Sequence, residues 1–209
     1  IMSNESWFNK KLPDVNLFKL KITHGLVGND GISSADDRFF YLSDVNLNNW
    51  DYSYTWGIDY SNSYAGYLID RYSNSNVTWE VAKKTNYGLE LGLFNDLTIQ
   101  ADYFTEHRTK IYMPRDFIPE TMGLTTPISS NLGEVKSKGV DMSLDYNKAF
   151  DSGLILSARA NFTYATNKIL VNGEPEYLYD YLSRVGHPVN QQWGLIAERL
   201  FIDQADINN

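Results

Sequence analysis

NYGLELGLFNDLTIQADYF, residues 86–104, is the stretch that decides the fold. Tyr87, Leu89, Leu91 and Leu93 point one way, and Asn86, Gly88, Glu90 and Gly92 the other. After Phe94-Asn95-Asp96 the alternation resumes, with Leu97, Ile99, Ala101 and Tyr103 set against Thr98, Gln100, Asp102 and Phe104. A period of two on both sides of a short join predicts two antiparallel strands. Asn95-Asp96 is hairpin chemistry, because both residues tolerate left-handed backbone angles.

The same pattern recurs outward from this hairpin. Val140, Met142, Leu144 and Tyr146 alternate with Asp141, Ser143 and Asp145, and Leu154 to Tyr164 alternate in the same way across Ile155, Ser157, Arg159, Asn161 and Thr163. Phe18, Leu20 and Ile22 alternate with Lys19, Lys21 and Thr23, and QQWGLIAERLF from Gln191 is a weaker strand candidate. Short joins at 95–96 and 147–153 alternate with long polar connections at roughly 28–77, 114–133 and 171–190. Short turns at one end of a sheet and long loops at the other are the pattern of a transmembrane β-barrel. On that reading Pro13 to Asn16 and the two short joins are periplasmic, and the three long loops are extracellular.

The alternation leaves open what covers the apolar side, a protein core or lipid. Three features favour lipid. The segments run to about 10 residues, close to the ~9–11 of a tilted membrane strand. The opposite face is very polar, with Glu90, Asp102, Asp141, Asp145 and Arg159, as a wet lumen permits. Tyr87, Phe94, Tyr103, Tyr146, Phe162 and Tyr164 stand near strand ends, where interfacial girdles lie. A soluble carbohydrate-binding β-sandwich remains the alternative, and it requires Tyr87, Leu89 and Leu91 to be buried under a second sheet. A structural or adhesin barrel without import is a further one.

Composition narrows the classes. The net charge of −8 and the 14% aromatic content of the 209 residues argue against nucleic-acid binding and favour strands. With no cysteine there is no disulfide framework or thiolate metal site. No apolar run reaches the ~18 residues of a membrane helix. The opening Ile1-Met2-Ser3-Asn4 suggests a piece of a longer protein.

Four segments carry a family resemblance. LKITHGLVGNDGI, NVTWEVAKKTNYGLELGLFND, SNLGEVKSKGVDMSLDY and VGHPVNQQWGLIAERLF resemble, in order, conserved blocks of the SusC/RagA-type TonB-dependent outer-membrane transporters. His24, Ser137-Lys138 and Arg199 depart from the usual residues. The resemblance implies that residues 1–209 are part of a 22-stranded barrel of the outer membrane, six to eight strands of it, without the plug domain. It implies import driven by the TonB complex through an N-terminal region absent from this chain. It also implies a SusD-like surface lipoprotein as lid, and ligands that are oligosaccharides in most members and peptides in some.

Site chemistry points the same way. No protease, esterase or phosphate-loop motif is present. Asp141 and Asp145 share a strand face about 13 Å apart, too far for a glycosidase pair. No catalytic residue, metal or cofactor is expected. Asn29, Asp30, Asp36 and Asp37 do not follow a calcium-loop spacing and read as a solvated turn. The first long loop is rich in rings. Trp50, Tyr52, Tyr54, Trp56 and Tyr60, with Tyr179 from the last loop, are the candidate ligand-binding residues. Flat rings with polar edges stack on sugar faces. The same rings could instead pack the loops together or form the outer girdle. The alternation from Tyr52 to Tyr60 also suggests a strand pair rising from the sheet.

Overall fold

The structure is a computed structural model that describes residues 1–32, 38–197, 199–202 and 204–208. After a short helix α1 (Ser6–Lys11) come β1 (Val15–Asn29), β2 (Asp44–Trp56), β3 (Asn62–Arg71), β4 (Glu80–Leu93), β5 (Leu97–Pro114), β6 (Ser129–Ala149) and β7 (Ile155–Val171). Five of these form one antiparallel sheet in the order β1-β4-β5-β6-β7, and β2 and β3 form a separate hairpin. The sheet is a segment of wall, open at β1 and β7, as expected for part of a barrel.

The 86–104 hairpin forms where expected, with Leu93 paired to Leu97 and Tyr87 to Tyr103. The turn differs in one detail. The left-handed residues are Phe94 (φ 55°) and Asn95 (φ 59°), not Asn95 and Asp96. Asp96 is used elsewhere: its carbonyl accepts from the Asn147 N–H at 2.7 Å and its carboxylate pairs with Lys148 at 3.1 Å. The Phe94 N–H in turn donates to the Asp14 carbonyl at 2.8 Å. All three short connections therefore lie at one end of the sheet.

Register carries the two-faced pattern across every strand. Ile22, Tyr87, Tyr103, Val140 and Tyr164 form one cross-strand row, and Leu20, Leu89, Ala101, Met142 and Phe162 the next. Directly paired residues share a face, so the apolar face is continuous. It is also uncovered: Ile22 is 72% exposed, Tyr164 60% and Tyr87 50%. The sandwich alternative fails here, because among the described residues no second sheet lies over this face. From Leu156 to Tyr164 the apolar face runs about 26 Å along the strand, or about 20 Å upright at a 40° tilt, near the ~25 Å band of a membrane barrel.

The other face is a network of charges. Glu90 takes Lys19 at 3.2 Å and Lys21 at 2.7 Å, Glu106 takes Lys84 and Arg108, and Asp145 takes Arg159. The Asn86 amide donates to Asp102 at 2.9 Å, and the Thr163 hydroxyl to Asp141. Gly139 lies under the Phe104 ring on this face. A Cβ there would sit 2.5 Å from that ring and 2.6 Å from the Tyr164 carbonyl oxygen.

Two expectations change. The strands are longer than ten residues, up to 21 in β6, so the wall continues past the apolar band and shortens the second loop to 115–128. The expected strand at 191–201 does not form, and its described residues carry no ladder pairing. Leu195, Ile196 and Ala197 run together and break the alternation a strand needs.

The face assignment predicts a strong asymmetry. In the full-length barrel, Leu89→Arg should lower unfolding stability by about 2–4 kcal/mol. Gln100→Arg, on the polar face of the neighbouring strand, should change it by under about 1 kcal/mol. Denaturant titration followed by tryptophan fluorescence in detergent measures both.

Candidate functional site

The site is built at the end of the sheet opposite the short turns. Between β1 and β4 the chain leaves the wall, makes the β2–β3 hairpin and returns. Asn29 and Glu80 close this excursion as the last pair of the β1–β4 ladder, with the Asn29 amide donating to the Glu80 carboxylate at 3.1 Å. Asp36 and Asp37 lie outside the described residues.

Within the hairpin, six residues of β2, from Asn49 to Tyr54, are set against three of β3, from Gly66 to Tyr64. The Asn49 side chain holds the resulting bulge by accepting from the Asp51 N–H at 3.0 Å and the Tyr52 N–H at 3.2 Å. Gly66 makes room for it. A Cβ on Gly66 would sit 1.9 Å from the Tyr52 carbonyl oxygen. Tyr54 pairs with Tyr64 and Trp56 with Asn62, so these side chains share a face. Tyr60 lies in the connecting turn with φ 53°. The expected strand pair is therefore present, but it ends at Trp56, and Ile58 and Tyr60 belong to the turn.

Every candidate ring of the hairpin is open to solvent in this chain: Trp50 59%, Tyr52 50%, Tyr54 63%, Trp56 63% and Tyr60 72%. Tyr179 stands apart in the last loop. It stacks on Tyr181 with centroids 5.5 Å apart and planes 18° from parallel, just before a 3₁₀ turn at Asp180–Leu182. The structure thus brings five of the six candidates onto one hairpin and places the sixth with a different partner.

What holds the hairpin was not legible in sequence. The Thr125 hydroxyl donates to the Ile69 carbonyl at 3.1 Å, and the Thr125 N–H donates to the Tyr72 hydroxyl at 3.3 Å. The Asn74 amide reaches the Ser129 carbonyl at 2.9 Å. Asn131 accepts from the Thr78 N–H and donates to the carbonyls of Thr78 and Lys110. The Thr125 bonds hold the Tyr72 hydroxyl below the usual tyrosine range. Under the hairpin lies a cleft of about 410 Å³, lined among others by Phe40, Asp44, Asp70, Arg71, Tyr72 and Tyr112. Its size falls in the range of small-ligand sites. Phe40 meets Tyr112 edge-on at 5.5 Å.

The last loop is tied in by one carboxylate. The Asp116 N–H donates to the Gly173 carbonyl at 2.6 Å, linking the second loop to the third. Glu174 accepts from the Ser183 hydroxyl, the Asn172 amide and the backbone N–H groups of Arg184 and Val185. Partial burial opposes its ionisation, but these donors outweigh that and hold the carboxyl below its ordinary 4.5. The three long connections are therefore one hydrogen-bonded cluster above the wall.

Comparison with known proteins follows from this geometry. The sequence model described as TonB dependent receptor-like, beta-barrel, matches residues 49–199. The chain belongs to that family. TonB-dependent receptor P3 of Formosa agariphila is 24% identical over 192 residues, which is 91% of this chain and 18% of that protein. TonB-dependent receptor P39 of the same organism is 24% identical over 209 residues, 99% of this chain and 18% of that protein. The chain thus spans about a fifth of the length of these relatives. Among solved structures, the RagAB peptide importer in its open-open state matches with a TM-score of 0.59 at 24% identity, covering 76% of this chain and 16% of that one. The closed-closed state matches with a TM-score of 0.58, covering 82% and 18%. These likenesses confirm the fold of a TonB-dependent receptor barrel wall.

Because the lowered pKa of Glu174 belongs to the folded loop, its stabilisation is full above about pH 4.5 and is lost as pH falls through the lowered value. The protection of the Arg184 and Val185 amides, measured against their intrinsic exchange rates, should therefore be high at neutral pH and fall in acid. Glu174→Gln should be fast throughout, by about tenfold. Exchange mass spectrometry of the full-length protein reads both.

Proposed function

We propose that this chain forms part of the wall and mouth of an outer-membrane, TonB-dependent importer of oligomeric nutrients, oligosaccharides foremost. The observation that carries the reading is the β2–β3 hairpin. It carries five exposed Trp and Tyr rings along its bulged strand and turn, beyond the end of a wall whose apolar face is uncovered. Rings of this kind stack on sugar faces, and the neighbouring Asn46, Asn48, Asn49, Asp51 and Asp59 offer hydroxyl partners.

In this reading the long loops are extracellular and the polar face lines the lumen. The cleft beside Asp44, Asp70 and Arg71 receives the polar groups of the ligand. A SusD-like surface lipoprotein closes over the loop cluster as a lid. The TonB complex acts on a plug region that the barrel wall surrounds. The residues here bind and line; the energy for transport enters elsewhere, and no residue of the chain is assigned a catalytic step.

A peptide ligand is the second reading. It is favoured by one observation, that the structural neighbours sharing this wall are named as peptide importers.

The test uses the full-length protein with and without Trp50→Ala and Trp56→Ala. Calorimetry against matched panels of oligosaccharides and oligopeptides should give an oligosaccharide ligand whose affinity falls about tenfold or more with each change, a loss of ~1.4 kcal/mol. Uptake should follow binding and stop when TonB is removed. Binding from the peptide panel alone selects the second reading. Binding that neither tryptophan affects removes the hairpin from the site.

A further inference from the structure

The outward face of the wall holds a second pattern above its tyrosines. Ile22, Tyr87, Tyr103, Val140 and Tyr164 mark the last apolar row. Two residues further along each strand the row reads His24, Thr85, Thr105, Lys138 and Thr166. Two further on it reads Leu26, Lys83, His107, Lys136 and Lys168. The His24 Nδ1 to Thr85 Oγ1 distance of 2.8 Å places both side chains on this face. In two steps the surface changes from hydrocarbon to cationic.

These lysines differ from those on the lumen side. Lys19, Lys21 and Lys84 each reach a carboxylate. Lys83, Lys136, Lys138 and Lys168 are exposed, and among the described residues none has an acidic partner within 4 Å. In the strand rows above the tyrosines one carboxylate shares the face, Glu134, and His107 engages it at 3.1 Å.

Lys136 and Lys168 are direct cross-strand partners. Like charges directly opposite destabilise a sheet. With strands ~4.8 Å apart, Lys83, Lys136 and Lys168 span about 15 Å along one row, and Lys138 stands one row nearer the tyrosines. Among the described residues no carboxylate lies within 4 Å of either ammonium group, and Glu134 is taken by His107, so the pair calls for a counter-charge from outside these strands. At this height, just past the aromatic girdle at the end away from the short turns, the groups that meet the wall are lipid headgroups of the outer leaflet.

We propose that Lys83, Lys136, Lys138 and Lys168 form a belt that binds the phosphate groups of an anionic glycolipid of the outer leaflet. The proposal rests on the membrane reading of the apolar face. A phosphate seated between Lys136 and Lys168 turns the repulsive pair into a chelate, with Lys138 below it and Lys83 across the sheet. Ammonium groups suit this role as mobile point charges that follow a headgroup without fixed geometry. The lipid anchors the wall vertically and sets the height of the loop cluster above the surface.

The test uses the full-length protein in nanodiscs of phosphatidylethanolamine doped with phosphorylated lipid A or its dephosphorylated form. Lipid retained on the protein after detergent dilution is read by mass spectrometry. Phosphorylated lipid A should be retained selectively. Each Lys→Gln change should cut retention about fivefold, and the quadruple variant by about 10² or more. The quadruple Lys→Arg variant should restore it, and inorganic phosphate at constant ionic strength should not displace the lipid. The proposal fails if both lipids are retained equally, if the quadruple Lys→Gln variant retains as much as the parent, or if inorganic phosphate strips the lipid. A spin label at Leu89 in the same discs separates the two levels. If it meets oxygen dissolved in the bilayer while the lysines have no effect, only the belt is wrong. If it does not, the membrane reading falls and the belt with it.

Discussion

The rest of the structure depends on backbone pairing. In hydrocarbon an unpaired N–H or C=O costs several kcal/mol, so a chain that crosses as strands must pair each strand on both sides. Within the sheet the inner strands β4, β5 and β6 are paired on both sides through the apolar rows, and β1 and β7 each on one. Its irregularities lie towards the two ends, at Val15–Leu17 in the row that ends at Ala158 and at Arg108–Tyr112 and Glu134–Val135 beyond the tyrosines. Left-handed residues follow the same rule, with Phe94 and Asn95 in a short turn and Lys110 in the bulge braced by Asn131. Strain and extra residues are thus kept to the ends of the strands.

The ladder also fixes where charge can go. Its period of two assigns alternate side chains to lipid and to lumen, so a carboxylate on the inner face can be met by a cation or a polar donor from a neighbouring strand. Glu90 between Lys19 and Lys21, and Glu106 against Lys84, are results of register, while Arg108 reaches Glu106 along its own strand. These contacts are partly exposed, and individually they add little stability. Their effect is to keep a charged inner wall compatible with tight strand pairing.

Much of this could be read from residues 86–104. Alternation showed the strands, their faces and the short turn, because a two-residue period is a local property. The family resemblance supplied the barrel. The aromatic hairpin was visible as composition, and its strand pair as alternation from Tyr52. The bonds of Thr125 to Ile69 and Tyr72, and the four donors on Glu174, were not visible, since they join residues far apart in sequence or depend on a loop's exact path. Gly66 could not be singled out, because its need arises from the Tyr52 carbonyl across the hairpin. The lysine belt was hidden for a related reason. Lys83, Lys136 and Lys168 are far apart in the chain and become neighbours only through register. The segment at 191–201 misled in the other direction, its apolar residues suggesting a strand that its broken alternation does not support.

The closure of the first excursion at Asn29 and Glu80 has a consequence for descent and for engineering. Everything between these two residues leaves the wall and returns through one terminal pair, while β1 and β4 remain in register beneath it. Lengthening such an insertion adds only a slowly growing loop entropy, and it moves no strand relative to the bilayer. The hairpin is therefore an exchangeable cassette. Lineages sharing this wall can replace the hairpin and its rings while the membrane-spanning ladder beneath them stays the same.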